Sequence, residues 1–185
     1  MQTKTAVKAT CKRVALLLKT ERERKTEDEP EGLSMTVLAK RAGLSQPSIS
    51  YIERSSRRSP NLETLLLICG ALGVEPFAII VEATKPVSDR ANRIIRHPFH
   101  VPTKAAVKAI CKRVALLVKT ERERKPLSMT VLAERTGLSQ PSISYIERSK
   151  RVPNLETLLL ISDALGIELS VILAEATKPA KQKRP

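Results

Sequence analysis

Tryptophan is absent from this chain, and two phenylalanines and two tyrosines are the only aromatic residues among its 185. A core without large rings must be assembled from Leu, Ile, Val and Ala, which suits small helical bundles. Cysteine is scarce as well: Cys11, Cys69 and Cys111 make an odd number with no CxxC pair, so neither a disulfide framework nor a zinc site is supported. The two histidines, His97 and His100, fall in one short segment and have no metal-ligand spacing. No apolar run is long enough to cross a bilayer, and the opening "MQTKTAVKATCKRV" lacks the apolar region and cleavage site of a secretory leader. The expectation is a cytoplasmic chain with no membrane partner and no cofactor. Acidic residues are the remaining shortage. Nineteen Asp and Glu stand against 33 Lys and Arg, a formal net charge of +14, which favours a polyanionic partner.

What the chain does have is itself, twice. Thr3 to Lys25 aligns with Thr103 to Lys125, Leu33 to Arg57 with Leu127 to Arg151, and Pro60 to Pro86 with Pro153 to Pro179. A period near 100 residues is too long for a solenoid unit, so each copy is expected to be a domain with its own core. The predicted boundaries are 1–86 for the first copy, 87–102 for a basic linker, 103–179 for the second copy and 180–185 for a basic tail. The first copy carries "TEDEPEG" at Thr26 to Gly32 where the second has only Pro126. The thirteen letters "GLSQPSISYIERS", by contrast, recur unchanged at Gly43 to Ser55 and Gly137 to Ser149.

Apolar residues recur at helical spacing throughout a copy. Val107, Ile110, Cys111, Val114, Leu117 and Val118 form the stripe of a first amphipathic helix ending near "ERERK". Ser128 is placed to cap a second helix, with Gly137 after its last turn; Ser139 caps a third with Pro141 in its first turn; Asn154 caps a fourth, closed by Gly166. A fifth runs through Leu169, Ile172 and Leu173 toward Lys178. Two helices joined by "TGLS" or "AGLS" make a helix-turn-helix, whose second helix can enter a DNA major groove. At 100° per residue Ile143 and Ile146 share one side of that helix. Pro141, Ser144, Tyr145 and Arg148 share the opposite side, with Gln140 and Ser142 flanking it. A small, polar outward face is what close approach to base edges requires. A stretch that must fit an external object would stay fixed in both copies.

The patterns "LSMTVLAERTGLSQPSISYIERSKRVPNLETLLLISDALGI" and "LSMTVLAKRAGLSQPSISYIERSSRRSPNLETLLLICGALGV" resemble the XRE family of helix-turn-helix regulators, the lambda repressor and Cro-like domains. The resemblance reaches over nearly all of each copy. It implies an all-α chain of two tandem five-helix lambda repressor-like domains that bind double-stranded operator DNA and regulate transcription, as a repressor or autoregulator. Carried over residue by residue, it implies base reading by Gln46, Pro47, Ser48, Ser50 and Tyr51 and by Gln140, Pro141, Ser142, Ser144 and Tyr145. Gln140 would address an adenine edge and Pro141 a thymine methyl. Phosphate contacts are implied for Ser45, Arg54, Arg57 and Arg58, and for Ser139, Arg148, Lys150 and Arg151. Glu53 and Glu147 lie near the inward side of their helices and are expected to pair with Arg22 and Arg122, since a carboxylate facing DNA would repel it. One departure is Met35 and Met129, which stand where the family often has a phosphate-binding Gln.

No nucleophile, acid and base constellation occurs in either copy, so no enzyme activity is expected. Cys11 and Cys111 fall on the apolar stripe and are read as inert buried thiols. Glu27, Asp28, Glu29 and Glu31 would stand beside the first copy's second helix and weaken its hold on phosphates. Arg90, Arg93, Arg96 and the tail "KQKRP" add sequence-independent attraction or merely solubility. The linker permits the copies to pair within one chain as a pseudo-dimer, reading an inverted repeat, and equally permits a direct repeat or a homodimer of chains. A second function class also fits the sequence: an antitoxin-like or antiactivator module that masks a toxin or activator protein, with DNA binding secondary.

Overall fold

A computed structural model describes residues 4–28, 33–54, 59–85 and 103–178. Ten helices run through the described residues. In the first copy they are α1 (Lys4–Asp28), α2 (Met35–Ala42), α3 (Gln46–Glu53), α4 (Leu62–Leu72) and α5 (Pro76–Thr84). In the second they are α6 (Lys104–Arg124), α7 (Met129–Thr136), α8 (Gln140–Glu147), α9 (Leu155–Leu165) and α10 (Leu169–Thr177). The chain is all-α, five helices to a copy, as the sequence predicts. Part of the "TEDEPEG" insertion extends α1 through Asp28, four residues longer than its counterpart α6. No single helix among the described residues is long and apolar enough to cross a membrane.

Local chemistry sets most boundaries. Ser34, Ser128, Asn61 and Asn154 each hold an extended backbone and accept a hydrogen bond from the amide three residues on, which satisfies one of the unpaired N–H groups of a first helical turn. The connections leaving α2 and α7 turn on Gly43 and Gly137, with φ of 65° and 66°. A side chain there would meet its own carbonyl, so glycine stops these helices and sets the turn that follows.

The expectation of a separate core for each copy is corrected by the packing. Buried Leu, Ile, Val and Ala residues from both copies form one continuous cluster, from Val7, Leu38 and Ile79 to Val107, Leu132 and Leu173. Three helices of each copy make the junction: α5 lies against α10, α1 crosses onto α9, and α6 crosses onto α4. Between the α3 and α4 ends of one copy and the equivalent point of the other, Asn61 and Asn154 form an isolated antiparallel bridge. The Leu62 amide donates to the Pro153 carbonyl at 3.0 Å and the Leu155 amide to the Pro60 carbonyl at 2.9 Å. These contacts are reciprocal, so the copies are related as in an isologous dimer, by a pseudo-twofold within one chain. A helix such as α1, with one stripe to bury over about 37 Å of length, is longer than its own copy can cover. Its remaining apolar length is covered by the other copy.

Candidate nucleic-acid interface

The second helices of the two helix-turn-helix pairs, α3 and α8, owe their placement to the same two local devices. Ser45 and Ser139 take the N-cap positions, their hydroxyls accepting from the amides of Ser48 at 3.3 Å and Ser142 at 3.4 Å. Pro47 and Pro141 sit in the first turn, where a missing N–H costs nothing. The cap hydroxyls also meet the hydroxyls of Ser48, at 2.7 Å, and Ser142, at 2.8 Å. Those four serines therefore present a hydrogen-bonded pair at the opening of each helix rather than four separate hydroxyls.

Burial sorts the faces. Ile49 and Ile143 are sealed at 1% and 0% exposure, and Ile52 and Ile146 are buried beside them. On the other side Gln46, Pro47, Tyr51 and Arg54 are exposed, as are Gln140, Pro141, Tyr145 and Arg148, while Ser48, Ser50, Ser142 and Ser144 are half-buried. Tyr51 and Tyr145 keep 45% and 50% of their surface open, enough for a ring to stack or a hydroxyl to reach outward. Merging the two cores has thus left both outward faces free. Lys150 and Arg151 are exposed just past α8, where their amides donate to the Tyr145 carbonyl at 2.8 and 3.2 Å, folding this basic loop back over the helix end. Arg57 and Arg58 lie outside the described residues, as do Arg90, Arg93, Arg96, the tail, and the side chains of Glu27, Asp28, Glu29 and Glu31. Met35 and Met129 are half-buried at the starts of α2 and α7; Met129 lines a shallow hollow with Gln140, Pro141, Ser144, Tyr145 and Arg148. That hollow brings an apolar atom group to the reading face, which the sequence did not indicate.

Beneath the interface two ion pairs hold the recognition helices to the first helices. Arg22 reaches Glu53 through Nε to Oε1 at 2.7 Å and Nη2 to Oε2 at 2.9 Å; Arg122 reaches Glu147 in the same bidentate manner at 2.6 and 2.9 Å. All four side chains are at least nine-tenths buried. Hydrogen bonding to the carboxylate raises each guanidinium's pKa further above its ordinary value, against the opposing effect of burial. Arg122 also donates to the Leu127 carbonyl at 3.0 Å, tying the α6–α7 connection to the same point.

Cys11 and Cys111 are half-buried and Cys69 is buried. Burial pushes Cys11 and Cys111 up to about 11, reinforced by Glu156 beside Cys11 and Glu63 beside Cys111, and Cys69 is raised as well. In each of the first two cases the neighbouring carboxylate belongs to the other copy. No group of three metal-ligating side chains occurs among the described residues.

Comparison with known proteins agrees with this architecture. A helix-turn-helix family model matches residues 29–79 and 118–172, together more than half of the chain, and the chain belongs to that family. The match begins after α1 in the first copy and takes in only the end of α6 in the second. The resemblance read from the sequence extended over both first helices; the family match does not. Among similar proteins, the immunity repressor protein of Bacillus phage phi105 is 38% identical over 60 residues, 32% of this chain and 42% of that protein. An uncharacterised helix-turn-helix-type transcriptional regulator of Mycobacterium tuberculosis is 37% identical over 59 residues, again 32% and 42%. The ImmF control region 10 kDa protein of the same phage is 31% identical over 61 residues, 33% of this chain and 68% of its own length. The chain thus spans about two-fifths of the length of the first two. No solved structure matches it.

Proposed function

We propose that the chain is a sequence-specific double-stranded DNA-binding regulator of transcription, acting as a repressor or autoregulator, and that α3 and α8 read two like half-sites arranged as an inverted repeat. Residues 1–86 and 103–179 are then the two reading halves of one unit. The observation that carries this is the reciprocity of the junction: identical outward faces on α3 and α8 belong to halves whose contacts mirror one another about a pseudo-twofold. Two identical readers related by a twofold address a sequence and its inverted copy. The name of one phage relative, an immunity repressor protein, supports the repressor reading. Gln46 and Gln140 supply amide groups suited to adenine, Pro47 and Pro141 an apolar touch for thymine, and Arg54, Arg148, Lys150 and Arg151 charge for the flanking phosphates.

Selection of duplexes from a random pool by the full chain, followed by footprinting on the region upstream of its own gene, tests the proposal. An enriched pair of like half-sites in inverted orientation is expected, with affinity falling steeply as salt rises. A direct repeat overturns the pairing, and recovery of no preferred sequence overturns base reading altogether. The first copy, with its acidic insertion, is expected to tolerate half-site mutations better than the second; equal sensitivity of the two half-sites removes that asymmetry.

A further inference from the structure

We propose that the lysines opening each copy's first helix serve the helix-turn-helix of the other copy, so that each half-site is held by phosphate contacts drawn from both halves of the chain. The inference rests on the DNA-binding reading above and assigns it residues that neither the motif nor the family match includes. It begins from the crossed first helices: α1 lies on α9 and α6 on α4. Cys11, two turns into α1, lies beside Glu156 of α9 and Ser59 at that junction, and Cys111, two turns into α6, lies beside Glu63 of α4.

Their N-terminal ends consequently arrive at the opposite reading heads. A Cβ placed on Gly137, in the turn between α7 and α8, would lie 3.1 Å from Nζ and 3.4 Å from Cε of Lys4. One placed on Gly43, in the turn between α2 and α3, would lie 3.7 Å from Cε of Lys104. These glycines stand two residues before Ser139 and Ser45, which open the recognition helices, a chain distance of at most about 7 Å. Both lysines are exposed, and Lys8 and Lys108 are exposed one turn further along. The start of a recognition helix is where the walls of a DNA groove come closest to the turn. A long, flexible ammonium beside it is suited to a phosphate, as a point charge without geometric demand. Arg41 and Arg135, in the last turns of α2 and α7, place further positive charge by the same turns. The arrangement occurs at both ends of the pseudo-twofold, from residues 100 apart in the sequence.

The test uses the full chain and a duplex selected by it from a random pool, trimmed to a single half-site. Gln46→Glu with Arg54→Glu disables α3 by charge repulsion and leaves α8 as the only reader. In that background Lys4→Gln is expected to reduce the slope of log K against log salt by about 0.9, equivalent to about eightfold weaker binding near 0.1 M salt. Lys104→Gln is expected to leave binding unchanged, and Lys4→Arg to retain it. The mirror background, with α8 disabled by Gln140→Glu and Arg148→Glu, is expected to reverse the two lysines. If each lysine affects its own copy's reader, or if neither substitution changes affinity or slope, the proposal is overturned. A parent chain that retains no duplex overturns the DNA-binding reading and this one with it, whereas a binding parent with indifferent lysines overturns this one alone. Matched far-UV circular dichroism confirms that these exposed substitutions leave the fold in place.

Discussion

Glu147 is 2% exposed at its side chain and has Arg122 as its bidentate partner, so removing either member leaves a charge stranded out of water. Breaking such a pair costs about 3–5 kcal/mol, far more than an exposed ion pair contributes. Glu147→Ala is therefore expected to lower the urea midpoint of the chain sharply, and Glu53→Ala to do likewise. A shift of under about 1 kcal/mol in urea titrations means that the pair is not holding α8 to α6. Neither substitution is expected to alter base preference, because both carboxylates face inward. The charges of this pair are legible in the sequence, but only through family resemblance, since Arg122 and Glu147 are 25 residues apart and no local pattern joins them. The neighbours of Cys11 were not legible at all. Its place on an apolar stripe says that it is covered, and says nothing of which copy supplies the cover.

At the level of elements, short helices need their ends. With eight residues each, α7 and α8 have too few internal hydrogen bonds to form alone, and caps and tertiary burial must hold them. Gly137 ends the first of these in the left-handed region, where an L side chain costs about 1–2 kcal/mol. Gly137→Ala is expected to destabilise the chain by about that amount in thermal or urea unfolding, and Gly137→Asn by less, since asparagine tolerates this conformation. An alanine variant as stable as the parent shows that the turn can reform without the positive φ. The added methyl also points at Lys4 Nζ, a flexible end that can move aside, so backbone strain rather than collision sets the expected cost. Elements of this kind were legible because their causes are local: Ser128, Ser139 and Asn154 are cap residues, Gly137 and Gly166 are stops, and Pro141 begins a helix.

For the molecule as a whole, the shared core makes the two copies one cooperative body. The full chain is expected to unfold in a single transition with the same midpoint by circular dichroism and by amide exchange of α3 and α8. Two separated transitions, one for each copy, contradict the joined core. The same packing joins the two helix-turn-helix halves: α5 on α10 and the crossed α1 and α6 do within one polypeptide what a dimer interface does between two. The outward faces of α3 and α8 lie apart from the junction formed by the first, fourth and fifth helices, so the proposed DNA reading and the packing of the copies use different faces of these elements.

The sequence by itself determined the helices, most of their limits though not the extension of α1 to Asp28, the duplication and the outward face of α3 and α8, because periodicity, caps and glycine stops act over a few residues. It predicted two separate cores where there is one. Stripe composition records how much of a helix must be buried, not which surface does the burying, and α1 satisfies its stripe across the junction. Only the tertiary structure decided that the copies pair about a pseudo-twofold and that Lys4 and Lys104 arrive beside the opposite turns. Those relations depend on contacts between residues far apart in the chain, Gly43 with Lys104 and Lys4 with Gly137 among them, where no local preference of the chain can reach.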